Sequence, residues 1–157
     1  MKRGKISDTI LGRSVFKLLG KRGNTVKPAY GQDAAHINMQ GKPVLAAVST
    51  GELAVYRAVN NISAACGVAD CIMDTVIIDE KSREIRLKEI IKELDRQCCI
   101  AGVGIAGGHT TVSDKVNSPV VSVMAIGHQE RVQNKAVAGQ DIVVTKHIGM
   151  SGIRIVI

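Results

Sequence analysis

The stretch from Ser82 to Ala101 constrains the fold most. Ile85, Leu87, Ile90, Ile91, Leu94 and Cys98 recur there at three- and four-residue intervals, charges occupy the other face, and Gly102 follows. That period predicts an amphipathic helix, with Ser82 as its cap. A β-branched apolar run, Cys71–Ile78, precedes it, and a short one, Val103–Ala106, follows it and runs into Gly107-Gly108. Both read as strands, so the helix connects two strands of a sheet.

The rest of the chain fills in around this unit. Ser7–Leu19 carries an apolar stripe (Ile10, Leu11, Val15, Leu18, Leu19) between a serine cap and Gly20, and reads as a first helix. A basic loop follows to Tyr30. Ala34–Met39 and Pro43–Val48, separated by Gln40-Gly41-Lys42, read as a hairpin. Thr50–Cys66 has Leu53, Ala54, Val59, Ile62 and Ala65 at helical spacing and ends at Gly67. Pro119–Ile126 and Asp141–Thr145 read as further strands, and Gly149–Ile157 as the start of a new element. Strands that are both hairpin-linked and helix-crossed predict an α+β domain with a mixed sheet. Val120, Val121, Val123, Met124 and Ile126 make one strand apolar on both faces. Two long helices cover one face, so the other is expected to meet a second copy of the chain.

Composition narrows the functional classes. The core has to be aliphatic, because Phe16, Tyr30 and Tyr56 are the only aromatic residues among 157. That scarcity argues against single-stranded nucleic-acid binding, which uses aromatic stacking platforms. The net charge of +7 sits wholly in residues 1–27, which hold eight Lys and Arg against Asp8; the remainder has 13 basic and 13 acidic residues. A basic arm on a neutral body suits solubility, an anionic ligand or nucleic acid, with a phosphate ligand ahead of nucleic acid. No apolar run approaches the length of a membrane span. Cys66, Cys71, Cys98 and Cys99 fit no zinc spacing and read as reduced, mostly buried thiols of a cytoplasmic protein.

Three segments carry candidate chemistry. In Gly31-Gln32-Asp33-Ala34-Ala35 an acid precedes a strand, where it can reach a metal or serve a turn. In Gly104-Ile105-Ala106-Gly107-Gly108-His109-Thr110-Thr111 paired glycines expose backbone amides to an anion, or punctuate a β-turn. Asn60-Asn61 places two amides inside a helix, facing either a ligand or solvent.

Taken together and in this order, those segments resemble the N-terminal domain of the AIR synthase-related superfamily, of the aminoimidazole ribonucleotide synthetase, hydrogenase-maturation dehydratase and selenophosphate synthetase type. Val59–Gly67, Lys2–Ile6 and Ala138–Lys146 with Ile148-Gly149 agree as well. The resemblance implies a sheet with helices on one face that dimerises through the other face. It implies ATP and Mg²⁺ near the dimer interface, and phosphorylation of an amide- or carbonyl-type oxygen of a small molecule. Carried over residue by residue, Asp33 is a metal or phosphate-site ligand in the nucleotide site. Lys5, Asn60, Asn61, Gly107, Gly108, His109 and Thr110 belong to the nucleotide site. The expected organisation is a basic segment, 1–30, the ATP-binding-type domain, 31–148, and the beginning of a further domain, 149–157. Asn61 and Thr111 stand where the superfamily commonly has acids, and Glu52 is a candidate substitute for an acid after the second strand. The resemblance therefore also admits a non-catalytic dimerisation or regulatory module.

Overall fold

A computed structural model describes residues 6–19, 31–131 and 136–143. The elements are α1 (Asp8–Ser14) with a 3₁₀ turn at Phe16–Leu18, β1 (Ala35–Met39), β2 (Lys42–Thr50), α2 (Ala54–Ala64), β3 (Gly67–Asp79), α3 (Glu84–Ala101), β4 (Gly104–Ser113) and β5 (Val120–Gln129). The strands form one sheet in the order β1-β2-β5-β3-β4. β3 and β4 are parallel and every other pair is antiparallel. The sheet is mixed, as the connections predicted.

The hairpin turn works as its residues dictate. Gln40 and Gly41 both have positive φ, 52° and 84°, the pair of conformations that matches a two-residue turn to strand twist. The Asn38 side-chain oxygen accepts from the Gly41 N–H at 2.8 Å. α3 ends at Gly102 in the left-handed region, with φ 70°. Its start differs from expectation. Ser82 does not cap the helix; its hydroxyl donates to Asp79 Oδ2 at 2.6 Å, and Asp79 Oδ1 also accepts from the Lys81 N–H. These donors hold the Asp79 carboxyl below the usual carboxylate range.

The end of α2 is a second correction. Cys66, not Gly67, takes the positive φ, 59°. Gly67 is needed for contact instead: a Cβ there would overlap the Leu45 side chain and come within 2.6 Å of the His128 carbonyl oxygen. The left-handed turn therefore falls on a residue that bears a Cβ, at roughly 1–2 kcal/mol.

Other expectations shift as well. The first helix breaks after Ser14 and buries none of its residues, and Ser7 makes no capping bond. Asp141–Val143 form no strand. Gly20, the rest of the basic loop and Gly149–Ile157 lie outside the described residues. All four cysteines are free, but only Cys98 is buried.

Leu45, Ala47, Ile72, Val76, Val123 and Ala125 on the sheet pack against Val55, Ala58 and Ile62 of α2 and Leu94 and Cys98 of α3. Strand register places Val44, Ala46 and Val48, Met124 and Ile126, and Cys71, Met73 and Ile77 on the opposite face. Those positions are partly or largely exposed, up to 63% at Val48. Among the described residues the sheet thus has one face covered by helices and one apolar face open.

At the rim of that open face, a bulge between Ala69 and Cys71 sets Asp70 beside His128. His128 Nδ1 lies 2.9 and 3.1 Å from the two carboxylate oxygens. The bond and the charge of Asp70 raise the His128 pKa. A raised folded-state value means that the stabilisation is complete below the ordinary histidine value of about 6.5 and fades as pH rises through the raised midpoint. Asp70→Asn is expected to return the His128 midpoint toward its ordinary value, read from the imidazole proton shifts in an NMR titration. An unchanged midpoint would refute the pairing.

Candidate functional site

The sequence candidates occupy two edges of the sheet. Asp33 is exposed in the turn that enters β1. With Gly31, Gln32, Ala34, His36 and Ala65 it lines a hollow of about 50 Å³. Ala65 connects this hollow to α2, since its N–H donates to the Asn61 carbonyl at 3.2 Å. Asn61 is half-buried one turn back along the helix; Asn60 is exposed.

Gly107, Gly108, His109 and Thr110 sit on the far edge. The expectation that the glycines form a turn beyond a short strand is overturned: they lie inside β4, paired with Met73 and Asp74, just past a bulge between Ile72 and Met73. Among the described residues β4 is the outermost strand, and one row of its backbone amides has no neighbouring strand there. His109 and Thr110 are exposed there. Four strand spacings separate β1 from β4, about 19 Å. Within one protomer Asp33 and the Gly-Gly segment therefore do not converge. Lys5 lies outside the described residues. Glu52 lines a hollow against α3 that shares no residue with the Asp33 hollow.

Two features escaped the sequence reading. Asp74 is a buried carboxyl on the helix-facing side of β3, and burial pushes its pKa up. It lies directly under Gly108: a Cβ on Gly108 would come 2.7 Å from both the Asp74 carbonyl oxygen and its Oδ1. Glycine at 108 is thus required for packing as much as for exposing an amide. An acid between Met73 and Thr75, in the middle of a mostly apolar run, was the signal. The second feature is the buried Gln97 carboxamide. It looks in sequence like any polar residue of an amphipathic helix.

The donor chemistry fits a nucleotide and its metal in a limited way. Unpaired strand amides, hydroxyls and side-chain-free glycines suit anionic oxygens. Asp33 is a single carboxylate, which suits Mg²⁺ that takes most of its remaining ligands from phosphate and water. Among the described residues no cluster of three or more His, Cys, Asp or Glu gathers at one point.

An α+β domain with a one-sided mixed sheet and an exposed glycine-bearing edge defines the class. The family model for "AIR synthase related protein, N-terminal domain" matches residues 26–129, and the chain belongs to that family. A comparison with curated protein sequences gives no match. Among solved structures, the HypE-HypF complex aligns with TM-score 0.56 at 24% identity, covering 64% of this chain and 37% of that one. AaThiL complexed with AMPPCP and TMP aligns with TM-score 0.56 at 17% identity, covering 67% and 38%. Hydrogenase maturation protein HypE in complex with ATP aligns with TM-score 0.52 at 21% identity, covering 62% and 33%. The present chain spans between 33% and 38% of the length of these three. At such identities the likeness establishes the fold. No helix among the described residues is long and apolar enough to cross a membrane.

Proposed function

We propose that the chain is an ATP-binding domain that works as a homodimer, with each nucleotide site shared between two copies. The observation that carries this reading is the strand register. The Val48 row runs through Met124 and Met73 to Gly107. Ala35 pairs with Ala46, two residues from Val48, and Asp33 sits in the bend that leads into β1 from the side of that row. Asp33 and Gly107 thus stand toward the same level on opposite edges. Stack two sheets by their open faces about a two-fold axis parallel to the strands. The β1 edge of one copy then lies over the β4 edge of the other, at matching height. An apolar face that needs cover and two half-sites that need each other are met by one arrangement.

In that arrangement the Gly107–Thr110 edge holds phosphate oxygens, and Asp33 of the other copy holds Mg²⁺ with Asn61 close by. Mg-ATP supplies the phosphoryl group, which passes to an amide- or carbonyl-type oxygen of a small molecule. The domain's own work is positioning and charge compensation. The solved relatives whose complexes contain ATP or AMPPCP support this assignment. A second reading keeps the dimer without turnover; it draws on Asn61 and Thr111, an amide and a hydroxyl that bring Mg²⁺ no charge.

Mixed dimers test the shared site. Calorimetric titration with Mg-ATP is expected to show binding that Asp33→Ala or His109→Ala weakens by about tenfold or more. When the two variants are unfolded and refolded together, half of the dimers carry both chains. Each such dimer holds one site with both residues intact, so about a quarter of the wild-type sites should return. Absence of recovery would remove the shared site, and absence of wild-type binding at millimolar nucleotide would remove the nucleotide. The transfer leaves ADP, so ADP formation from Mg-ATP separates the active enzyme from the non-catalytic module.

A further inference from the structure

The segment from Ile6 to Leu19 takes no part in the core. None of its residues belongs to the buried cluster or to the hydrophobic residues packed against it, and α1 with its 3₁₀ turn buries nothing. Yet it carries the apolar stripe of a packed helix. Ile6, Val15, Leu18 and Leu19 are exposed, Leu18 at 77%. A single exposed leucine is ordinary on a protein surface, but four large aliphatic side chains in one short segment form a patch that mark a contact with something else.

Charge says what that contact is. The segment lies within residues 1–27, which hold eight Lys and Arg against Asp8, on a body with 13 charges of each sign. Lys2, Arg3 and Lys5 precede it in sequence and Lys21, Arg22 and Lys27 follow. Asp8 stands in the first turn of α1, where a helix N-terminus favours an acid. At the helical period Leu11, Val15, Leu18 and Leu19 share one side, and Arg13 and Lys17 fall opposite them. A partner therefore has to offer anions and an apolar interior together. The phosphate backbone of a nucleic acid meets the basic residues but gives the leucines nothing. The boundary of an anionic bilayer supplies both within the width of one helix.

We propose that residues 6–19 dock the domain on an anionic membrane surface, lying in the plane of the headgroups. Leu11, Val15, Leu18 and Leu19 enter the acyl boundary. Arg13, Lys17 and the flanking basic residues meet the lipid phosphates. The helix that breaks after Ser14 in water continues to Leu19 on the bilayer, because burial of its apolar side supplies the stabilisation that a short helix lacks alone. The sheet, α2 and α3 stay in water. The attachment is peripheral and does not rest on the nucleotide reading.

Co-sedimentation of the full chain with vesicles tests the proposal. Vesicles of phosphatidylcholine with about one-third phosphatidylglycerol should carry the chain down, pure phosphatidylcholine should not, and added salt should release it. Helical circular dichroism should rise with the anionic vesicles alone. Arg13→Gln and Lys17→Gln should each lower the partition coefficient about fivefold. Leu18→Ser combined with Leu19→Ser should lower it about tenfold or more, which adsorption by charge alone would not show. These side chains lie outside the core, so the urea midpoint of every variant should match the wild type. The proposal is overturned by absence of partition into the anionic vesicles at low salt, by equal partition into the neutral ones, or by leucine variants that bind like the wild type. It is also overturned if the leucine variants change the mass seen by light scattering without lipid, which would make the stripe a contact between subunits.

Discussion

Val48→Asp is expected to turn a homodimer into a monomer. Val48 lies on the open face of β2, next to the central strand β5, and is 63% exposed. Its neighbours in the row are Met124 and Met73. In a face-to-face dimer this position is buried, and the two-fold axis brings in two carboxylates at once. Removing an unpaired charge from water costs several kcal/mol. With two per dimer, the dissociation constant should rise by roughly three orders of magnitude or more. Light scattering should report about twice 16.7 kDa for the wild type and a single chain mass for the variant. Circular dichroism should stay the same, because Val48 lies on the face away from the helices and their core. A wild-type monomer at micromolar concentration, or a variant that remains dimeric, would defeat the shared-site reading.

Gly127→Ala is expected to lose a large part of the folding free energy. Gly127 is buried on the helix-facing side of β5, beside Leu45. A Cβ there would overlap the Val68 carbonyl oxygen and lie 2.9 Å from Ala69 Cα. These are backbone atoms of the adjacent strand at its bulge, so no side-chain rotation relieves the overlap. Either β3 moves away from β5 or the bulge is lost. Overpacking of this kind costs roughly 3 kcal/mol, a large share of the 5–15 kcal/mol typical of a domain. Gly104→Ala is the control: nothing lies within 4 Å of its added Cβ, and a change within about 0.5 kcal/mol is expected. Urea denaturation compares the three. A Gly127→Ala midpoint close to wild type would show that β3 and β5 are not packed in this register.

Local chemistry made several elements readable. α3 announced itself because its apolar residues keep the helical period over five turns and a glycine waits at its end. The hairpin was readable because Gln40-Gly41 takes positive φ between two apolar runs. The Gly-Gly segment misled for the same local reason: paired glycines next to a histidine and threonines look like a turn. Their extended conformation comes from pairing with β3, and the want of a side chain at 108 comes from Asp74 beneath it. Gly67 misled in a similar way, since its role is contact with β5 rather than helix termination.

The candidate site was legible as residue types but not as a place. Asp33, Asn61 and the Gly107–Thr110 segment carry groups suited to a phosphate and its metal wherever they stand. Their separation follows from β5, which inserts between β2 and β3 although it is the last strand among the described residues. Periodicity within a segment records which face of that segment is buried, because burial acts on each side chain separately. The amino-acid sequence by itself determined most of the element types and the one-sided cover of the sheet. Strand order, the placement of Asp33 and Gly107 at opposite edges and the unpartnered oxygen of Gln97 were decided only by tertiary structure, because each depends on which distant segments exclude water from one another.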